Sequence, residues 1–131
     1  MDIVQPEGWA RPRGYSNAIV AEGRFLFIAG QIGWDANQQL VGDDFIDQLR
    51  QALRNIRTLL ESAGSGPEAL VRLTWYVTDI ADYRARVAEV GQVYRETLGK
   101  VFPAMAVVAV SALVEPGAKI EIEATAELPR S

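Results

Sequence analysis

Residues 119–128, Lys-Ile-Glu-Ile-Glu-Ala-Thr-Ala-Glu-Leu, decide the fold because their side chains alternate strictly between apolar and polar. Successive side chains of a β-strand point to opposite faces of a sheet, so this pattern predicts a strand with one buried face and one polar face. The buried face would consist of Ile120, Ile122, Ala124, Ala126 and Leu128. Other elements of the chain must therefore cover that face.

Two helices are predicted to provide the cover. Asp43 and Asp44 precede a segment in which apolar residues recur every three or four positions as far as Ala63, and Gly64 follows it. This spacing predicts a helix that begins at the aspartates and buries one face. A second helix is predicted over residues 82–98, with Gly99 after its last turn.

The remaining β-favouring segments predict four more strands. Residues 19–22 and 24–33 are expected to form a hairpin around Glu22-Gly23, and residues 70–77 and 107–113 are expected to be further strands. The helical crossover to residues 70–77 favours parallel pairing. The order is ββαβαββ, an α+β fold with a mixed sheet and two helices on one face.

The second face of this sheet would be left uncovered by the helices. The apolar residues assigned to it are Ile28, Leu73, Trp75, Val108 and Val110. Because an exposed apolar sheet face usually marks an interface, the pattern predicts a closed homo-oligomer.

Length and composition predict one domain with an N-terminal extension. The chain has 131 residues, 49% of them hydrophobic, which is enough for one core. Prolines and glycines make residues 1–13 an extended arm, and residues 14–131 form the single domain. Trp9 in the arm packs either onto its own domain or against a neighbouring subunit or site.

Several function classes lack the residues they need. The chain has no cysteine and no histidine, which removes thiolate nucleophiles, disulfides and the commonest general base and metal ligand, so no metal is expected. Its net charge of −4 argues against a nucleic-acid partner. No long apolar run and no leader-like segment is found, which predicts a cytoplasmic protein without a membrane partner. Nucleotide-binding glycine motifs are also absent.

The chain resembles the Rid family of enamine and imine deaminases, also named after YjgF. The blocks that match are Phe27–Ile32, Val71–Asp79, Asp82–Tyr94, Phe102–Ala104 and Lys119–Ala124. The resemblance implies a chorismate-mutase-like fold in a homotrimer, with three sheets packed like a barrel and clefts between the subunits. It also implies small-molecule ligands and a reaction that uses no cofactor.

The resemblance implies roles for four residues of this sequence. Glu121 matches a glutamate that lines the cleft and helps to place the water, and Tyr15 matches a tyrosine that lines the pocket. Gly30 matches a glycine whose main chain contributes to carboxylate binding, and Val107 matches a position that contributes its backbone. Other interpretations stay open: Glu121 as a surface charge, Tyr15 as a core or interface aromatic, and Gly30 as a β-bulge.

Three positions depart from the family pattern. Met105 replaces an arginine that clamps the substrate carboxylate, Val107 replaces a frequent cysteine, and Gly91 replaces an asparagine. Losing a bidentate charged partner costs about 2 to 5 kcal/mol, which weakens binding of a 2-imino acid about 30-fold or more. Arg13 or Lys119 could supply another cation, or both could face water. A pocket bordered by Met105 and Val107 suits a more apolar ligand.

Two functional hypotheses follow. The first is a hydrolase that converts an imine or enamine other than the standard 2-imino acids into a carbonyl compound and ammonia, with Glu121 and Tyr15 as catalytic residues and Gly30, Met105, Val107 and Gly91 around the substrate. The second is a non-catalytic homotrimer that binds a small molecule. Ribonuclease activity is disfavoured because histidine is absent and the net charge is negative.

Overall fold

A computed structural model describes residues 1–129. Within that range the strands are β1 (Asp2–Val4), β2 (Ala18–Val20), β3 (Phe25–Ile32), β4 (Leu70–Val77), β5 (Ala104–Ala109) and β6 (Ile120–Glu127). The helices are α1 (Phe45–Ser62), α2 (Ile80–Ala85) and α3 (Val87–Leu98), and a 3₁₀ turn covers Pro67–Ala69. The chain therefore has the α+β mixture that the sequence predicted. The predicted domain of residues 14–131 ends two positions outside the described residues.

The main sheet is mixed and has the strand order β3-β6-β4-β5. Strand β6 pairs antiparallel with both β3 and β4, whereas β4 pairs parallel with β5. The strand predicted from residues 119–128 is thus confirmed, and the structure places it in the interior of the sheet between β3 and β4. The predicted hairpin around Glu22-Gly23 is wrong, because β2 pairs with β1 and β3 pairs with β6.

The helices cover one face of this sheet and bury the apolar half of β6. Ile120, Ile122 and Ala126 have no exposed surface, as the alternation predicted. The assignment of Ile28, Leu73 and Trp75 to the second face is wrong: all three lie in the helix-covered core, with exposed fractions of 6%, 0% and 2%. Sequence patterning shows that residues alternate along a strand, but it does not show which set the helices cover.

The second face of the sheet, here called the open face, is mostly polar among the described residues. It carries Glu121 and Glu123 of β6 and Tyr76 of β4, which the strand register places side by side. Val108 of β5 pairs with Tyr76 and is 42% exposed, so its predicted place on this face is confirmed. Phe27 of β3 is 77% exposed.

Strand β5 begins and ends earlier than predicted. It spans Ala104–Ala109 instead of residues 107–113, and Val110 lies beyond its end. The predicted second helix is divided at Arg86, whose backbone φ of −115° and ψ of 24° end α2 and precede α3. The guanidinium of Arg86 donates hydrogen bonds to Asp44 at 2.8 Å and to Glu89 at 3.2 Å. The bond to Asp44, which is distant in sequence, is a tertiary contact at this break.

A buried polar side chain fixes the position of β6 relative to α1. Gln48 of α1 has no exposed surface, and its amide nitrogen donates to the carbonyls of Gly42 and Gly117 at 2.8 and 3.0 Å. Its amide oxygen accepts a hydrogen bond from the Lys119 backbone at 2.8 Å. At Gly33, a Cβ would lie 2.5 Å from Cα of Gln48, so only glycine permits this close approach. These contacts fix the start of β6, and Glu121 is the second residue of that strand.

The N-terminal arm is not wholly irregular, because residues 2–4 form β1. Trp9 is 63% exposed, so its predicted packing onto its own domain is wrong and only the contact with a neighbour or site remains open. After the arm, the Ser16 backbone donates to Pro103 at 3.0 Å and Ser16 pairs with Ala104. This attachment holds the preceding residue, Tyr15, beside β5. None of the helices within residues 1–129 combines the length and the apolar content that a membrane span requires.

Candidate functional site

The first group of predicted site residues lies on the open face. Glu121 of β6 is half-buried there, and Gly30 of β3 lies directly against it. A Cβ placed on Gly30 would be 2.6 Å from both Cδ and Oε2 of Glu121. The pairing of β3 with β6 shifts between Ile28 and Gln31, so the bulge predicted at Gly30 is confirmed. The absence of a side chain at Gly30 gives the Glu121 carboxyl its present position.

Tyr76 is a polar neighbour of Glu121 that the sequence analysis did not identify. It lies opposite Glu121 in the β4–β6 register, and its hydroxyl donates a hydrogen bond of 2.6 Å to Glu123. This bond, followed by desolvation and the nearby charges of Glu123 and Glu121, raises the pKa of the Tyr76 phenol. Only the strand register could have identified Tyr76, because nothing in its local sequence distinguishes it.

The second group of predicted site residues lines a cavity of about 530 Å³ on the other side of the sheet. Met105 and Val107 of β5 form part of its floor, and Gly91 of α3 and Tyr15 contribute to its walls. The register explains the floor: Met105 pairs with Leu73 and Val107 with Trp75, both of which point into the helix-covered layer.

Aromatic side chains make up much of the cavity wall. Trp75 contacts Tyr83 edge to face at a ring distance of 6.5 Å and Tyr94 at 6.2 Å. Burial raises the pKa of both tyrosines, and the Tyr94 hydroxyl donates to the Val101 carbonyl at 2.7 Å. Within residues 1–129, Nε1 of Trp75 is buried without a hydrogen-bond partner. A neutral, rigid wall of this kind suits an apolar ligand body.

The cations near the cavity differ in part from those the sequence suggested. Arg13 lines the cavity, as proposed for a substitute cation, and so does Arg95 of α3, which the sequence analysis did not identify. Lys119 lies elsewhere, in a depression it shares with Asp79 and Asp82. Among residues 1–129, no group of three or more acidic side chains is arranged to hold a metal ion.

The two groups of residues cannot meet within one chain. Glu121 points to the open face, whereas Met105 and Val107 point to the helix-covered face. Gly30 and Tyr15 are also associated with opposite edges of the four-stranded sheet, which are about 14 Å apart at the usual strand spacing. A site that uses both groups requires a second copy of the chain.

Comparison with known proteins gives a family context to these residues. Residues 9–128 match the family model described as Endoribonuclease L-PSP. A RutC family protein of Pyrococcus horikoshii is 41% identical over 127 residues, which cover 95% of this chain and 96% of that protein. A 2-iminobutanoate/2-iminopropanoate deaminase of Capra hircus is 38% identical over 113 residues, covering 86% of this chain and 78% of the deaminase.

Solved structures give the same result at the level of the fold. The crystal structure of a conserved Rid family protein of unknown function from Yersinia pestis superposes with a TM-score of 0.82 at 39% sequence identity. The superposition covers 97% of this chain and 98% of that one. The similarity of fold therefore extends over nearly the whole chain.

Proposed function

The chain belongs to the Endoribonuclease L-PSP family, also called the Rid or YjgF family, and from this premise we propose that it is a deaminase-like hydrolase of imines or enamines. The similarity to a protein named 2-iminobutanoate/2-iminopropanoate deaminase supports this reaction class. The observation that supports the proposal is the close approach of the Glu121 carboxyl to Gly30, because a carboxyl beside exposed main chain is suited to proton transfer.

The reaction needs only water and a group that moves protons. An enamine first tautomerises to the imine, and water then adds to the C=N carbon. The Glu121 carboxylate takes a proton from that water and returns it to the nitrogen, which gives a carbinolamine. The hydroxyl proton of the carbinolamine then moves to the nitrogen, the C–N bond breaks, and a carbonyl compound and ammonia leave. Tyr15 and the main chain at Gly30 and Val107 orient the substrate in this proposal.

We further propose that the complete site forms between copies of the chain in a homotrimer. One copy would supply Glu121 and Gly30 from its open face, and the next would supply the cavity with Tyr15, Met105 and Val107. The exposed Phe27 on the open face supports this assembly, because a large apolar side chain in that position is stabilised when another subunit covers it. Three open faces packed together would form a barrel-like centre with three equivalent clefts.

Met105 sets the substrate preference in this proposal. The family resemblance places a carboxylate-binding arginine at this position, and a methionine offers no charge and no donor. Small 2-imino acids would therefore bind weakly, and substrates with a larger apolar part would gain contacts with Met105, Val107 and Trp75. We propose that the substrate is not one of the standard small 2-imino acids.

A second candidate function is ligand binding without turnover. The observation that favours it is that the cavity is already formed within one chain, at a distance from Glu121. In this case a small molecule would occupy the cavity of a non-catalytic trimer, and Glu121 would have no effect on any reaction. Ribonuclease activity, which the family description mentions, is not proposed because the chain has a net charge of −4 and no histidine.

The experiment that tests the proposed function measures ammonia and carbonyl release from freshly generated imines. The panel contains small 2-imino acids, 2-imino acids with aromatic side chains, and uncharged imines. Wild type should accelerate hydrolysis of at least one substrate, and Glu121→Gln should lower that rate about 100-fold or more, as expected for loss of a general acid–base group. Met105→Arg should shift the preference towards small 2-imino acids.

Glu123→Gln is the matched control, because it lies on the same strand and its glutamine can still accept the Tyr76 hydrogen bond. It should retain the wild-type rate. Wild-type and variant rates that all equal the buffer rate would reject the hydrolase and leave the binding function. A Glu121→Gln variant as active as wild type would reject the role of Glu121.

A further inference from the structure

The cavity combines an apolar wall with an unbalanced positive charge. Among the described residues that line it, none is acidic, and Arg13 and Arg95 are its charged members. The chain as a whole carries a net charge of −4, so this local excess of positive charge is opposite to the overall balance. A ligand that matches the cavity would carry a negative charge on an apolar body.

Both guanidinium groups are available to such a ligand. Within residues 1–129, neither Arg13 nor Arg95 forms an ion pair or a side-chain hydrogen bond. Arg50, Arg57 and Arg86, by contrast, each have an acidic partner. An arginine without a partner beside an apolar cavity can bind a carboxylate through two parallel hydrogen bonds.

Gly91 lies directly beside the Arg95 guanidinium. The two residues are four positions apart on α3 and so share one face of the helix. A Cβ placed on Gly91 would be 3.2 Å from Nη1 of Arg95, which is tighter than ordinary contact. The guanidinium therefore lies close to Gly91, and a side chain at position 91 would push Nη1 away by a few tenths of an ångström or more.

We infer that Arg95, positioned over Gly91, binds the substrate carboxylate in place of the arginine that is absent at position 105. This inference rests on the proposed function of the cavity and specifies its substrate class. The ligand is a 2-imino or 2-enamino acid whose side chain is aromatic or similarly large. Its carboxylate contacts Arg95 on α3, and its apolar side chain lies against Met105, Val107 and Trp75 on the sheet.

The position of the cation explains the size of the ligand. An arginine at position 105 would bind the carboxylate on the cavity floor, and an apolar group could then not occupy the floor. Moving the cation to α3, on the wall, frees the floor for apolar contact. Each additional buried methylene would then tighten binding about fourfold, a gain that a small imino acid cannot provide.

The test is a binding titration that does not depend on turnover. The probes are 3-phenylpropanoate, its neutral analogue 3-phenylpropanamide, and propanoate. The Trp75 indole N–H resonance reports binding, because the Trp75 ring lines the cavity. Wild type should bind 3-phenylpropanoate at least about tenfold more tightly than the amide, since a hydrogen bond to a charged group contributes about that factor. It should also bind 3-phenylpropanoate at least about tenfold more tightly than propanoate, which lacks the phenyl group that the cavity would bury.

The variants identify the cation. Arg95→Gln should lose about tenfold or more in affinity for 3-phenylpropanoate and keep its affinity for the amide. Gly91→Asn should weaken binding of the acid in the same direction, because its side chain would displace the guanidinium. Arg54→Gln is the matched control: it removes the same charge from α1, away from the cavity, and should change neither affinity.

Three results would overturn the inference: no binding of any probe to wild type, no preference for the acid over the amide, or an Arg95→Gln variant that binds the acid as wild type does. These results are separate from a failure of the proposed function, which depends on Glu121 and is measured by ammonia release. If the protein hydrolyses imines but the Arg95→Gln variant still binds the acid as wild type does, the proposed hydrolase function stands. The substrate class inferred from Arg95 is then rejected.

Discussion

At the scale of single residues, the geometry of the Glu121 carboxyl depends on what its neighbour lacks. Gly30 provides no side chain where a Cβ would come within 2.6 Å of the carboxyl carbon. Its backbone does not need the left-handed conformation, so alanine can adopt the backbone geometry at position 30. The glycine is therefore needed for the space that it leaves, and its conformational freedom is secondary.

Gly30→Ala tests this account of the carboxyl. The new methyl group must displace the Glu121 side chain, which is flexible, so the free energy of unfolding should change by less than about 1 kcal/mol. Imine hydrolysis should fall about tenfold or more, because a small misplacement of a reacting group strongly reduces the rate. Thermal unfolding and ammonia release, measured on the same preparation, check the two parts. Full activity in Gly30→Ala would contradict the proposed role of this contact.

The sequence proposed the candidate site residues one by one, and it did not show their arrangement. The motif match gave Glu121, Gly30, Tyr15, Met105, Val107 and Gly91 as candidates. It could not show that they divide into two groups, because a strand pattern does not reveal which of its faces the helices cover. Arg95 and Tyr76 were missed for a related reason: each is significant only because of the residue it meets, Gly91 in one case and Glu121 in the other.

At the scale of secondary-structure elements, Asp44 connects α1 to the junction of α2 and α3. Its carboxylate accepts hydrogen bonds from the backbone N–H groups of Ile46 and Asp47 at 3.1 and 3.3 Å, and these bonds cap α1. It also accepts a hydrogen bond from Arg86 at the α2–α3 break. The Arg86 guanidinium, followed by the backbone N–H groups, holds the pKa of Asp44 below its usual value of 3.8.

Asp44→Ala should lower the free energy of unfolding by about 1 to 2 kcal/mol, mainly through loss of the helix cap, since the exposed ion pair contributes little. Asp43→Ala, at the adjacent exposed position, is the control and should change it by less than about 0.5 kcal/mol. Urea denaturation of the two variants provides the comparison. Equal stabilities of the two would show that Asp44 does not cap the helix.

The acid side of the pH profile gives a second readout of the same cap. Because the folded-state pKa of Asp44 is lowered, its contribution to stability is fully present above the unfolded value of 3.8 and is lost as the pH falls through the folded value. The difference in stability between wild type and Asp44→Ala should therefore shrink below about pH 4.

The elements themselves were largely predictable, and their contacts were less so. Period and capping signals predicted α1 and β6 nearly to their ends. The break at Arg86 was not predictable because no proline or glycine marks it, and the bond to Asp44 that accompanies it is distant in sequence. The hairpin prediction failed because β1, from the arm, pairs with β2, and β6 pairs with β3.

At the scale of the whole molecule, one chain carries the two groups of candidate site residues on opposite faces of one sheet. The sequence predicted a homo-oligomer from an exposed apolar face, but three of the residues assigned to that face are in the core. The open face instead combines charged residues with the exposed Phe27. The exposed Phe27 on this face can pack against another subunit, and the charged residues can line a cleft between subunits. The proposed assembly therefore includes both packed regions and clefts.

The most direct measurement mixes two variants that are each defective in a different half of the site. Glu121→Gln removes the open-face half and Tyr15→Ala removes part of the cavity half, and each variant alone should hydrolyse imines far more slowly than wild type. Equal amounts of the two are unfolded together and refolded, and light scattering confirms the mass of a trimer, about three times the 14.4 kDa of one chain. Random mixing then pairs two intact halves in about a quarter of the clefts.

If the site is shared between neighbouring subunits, the mixed pool should recover about a quarter of the wild-type rate of ammonia release. If each chain carries a complete site, every site in the pool retains a defect. In that case the mixture would be no faster than the average of the two variants alone, and this result would contradict the account.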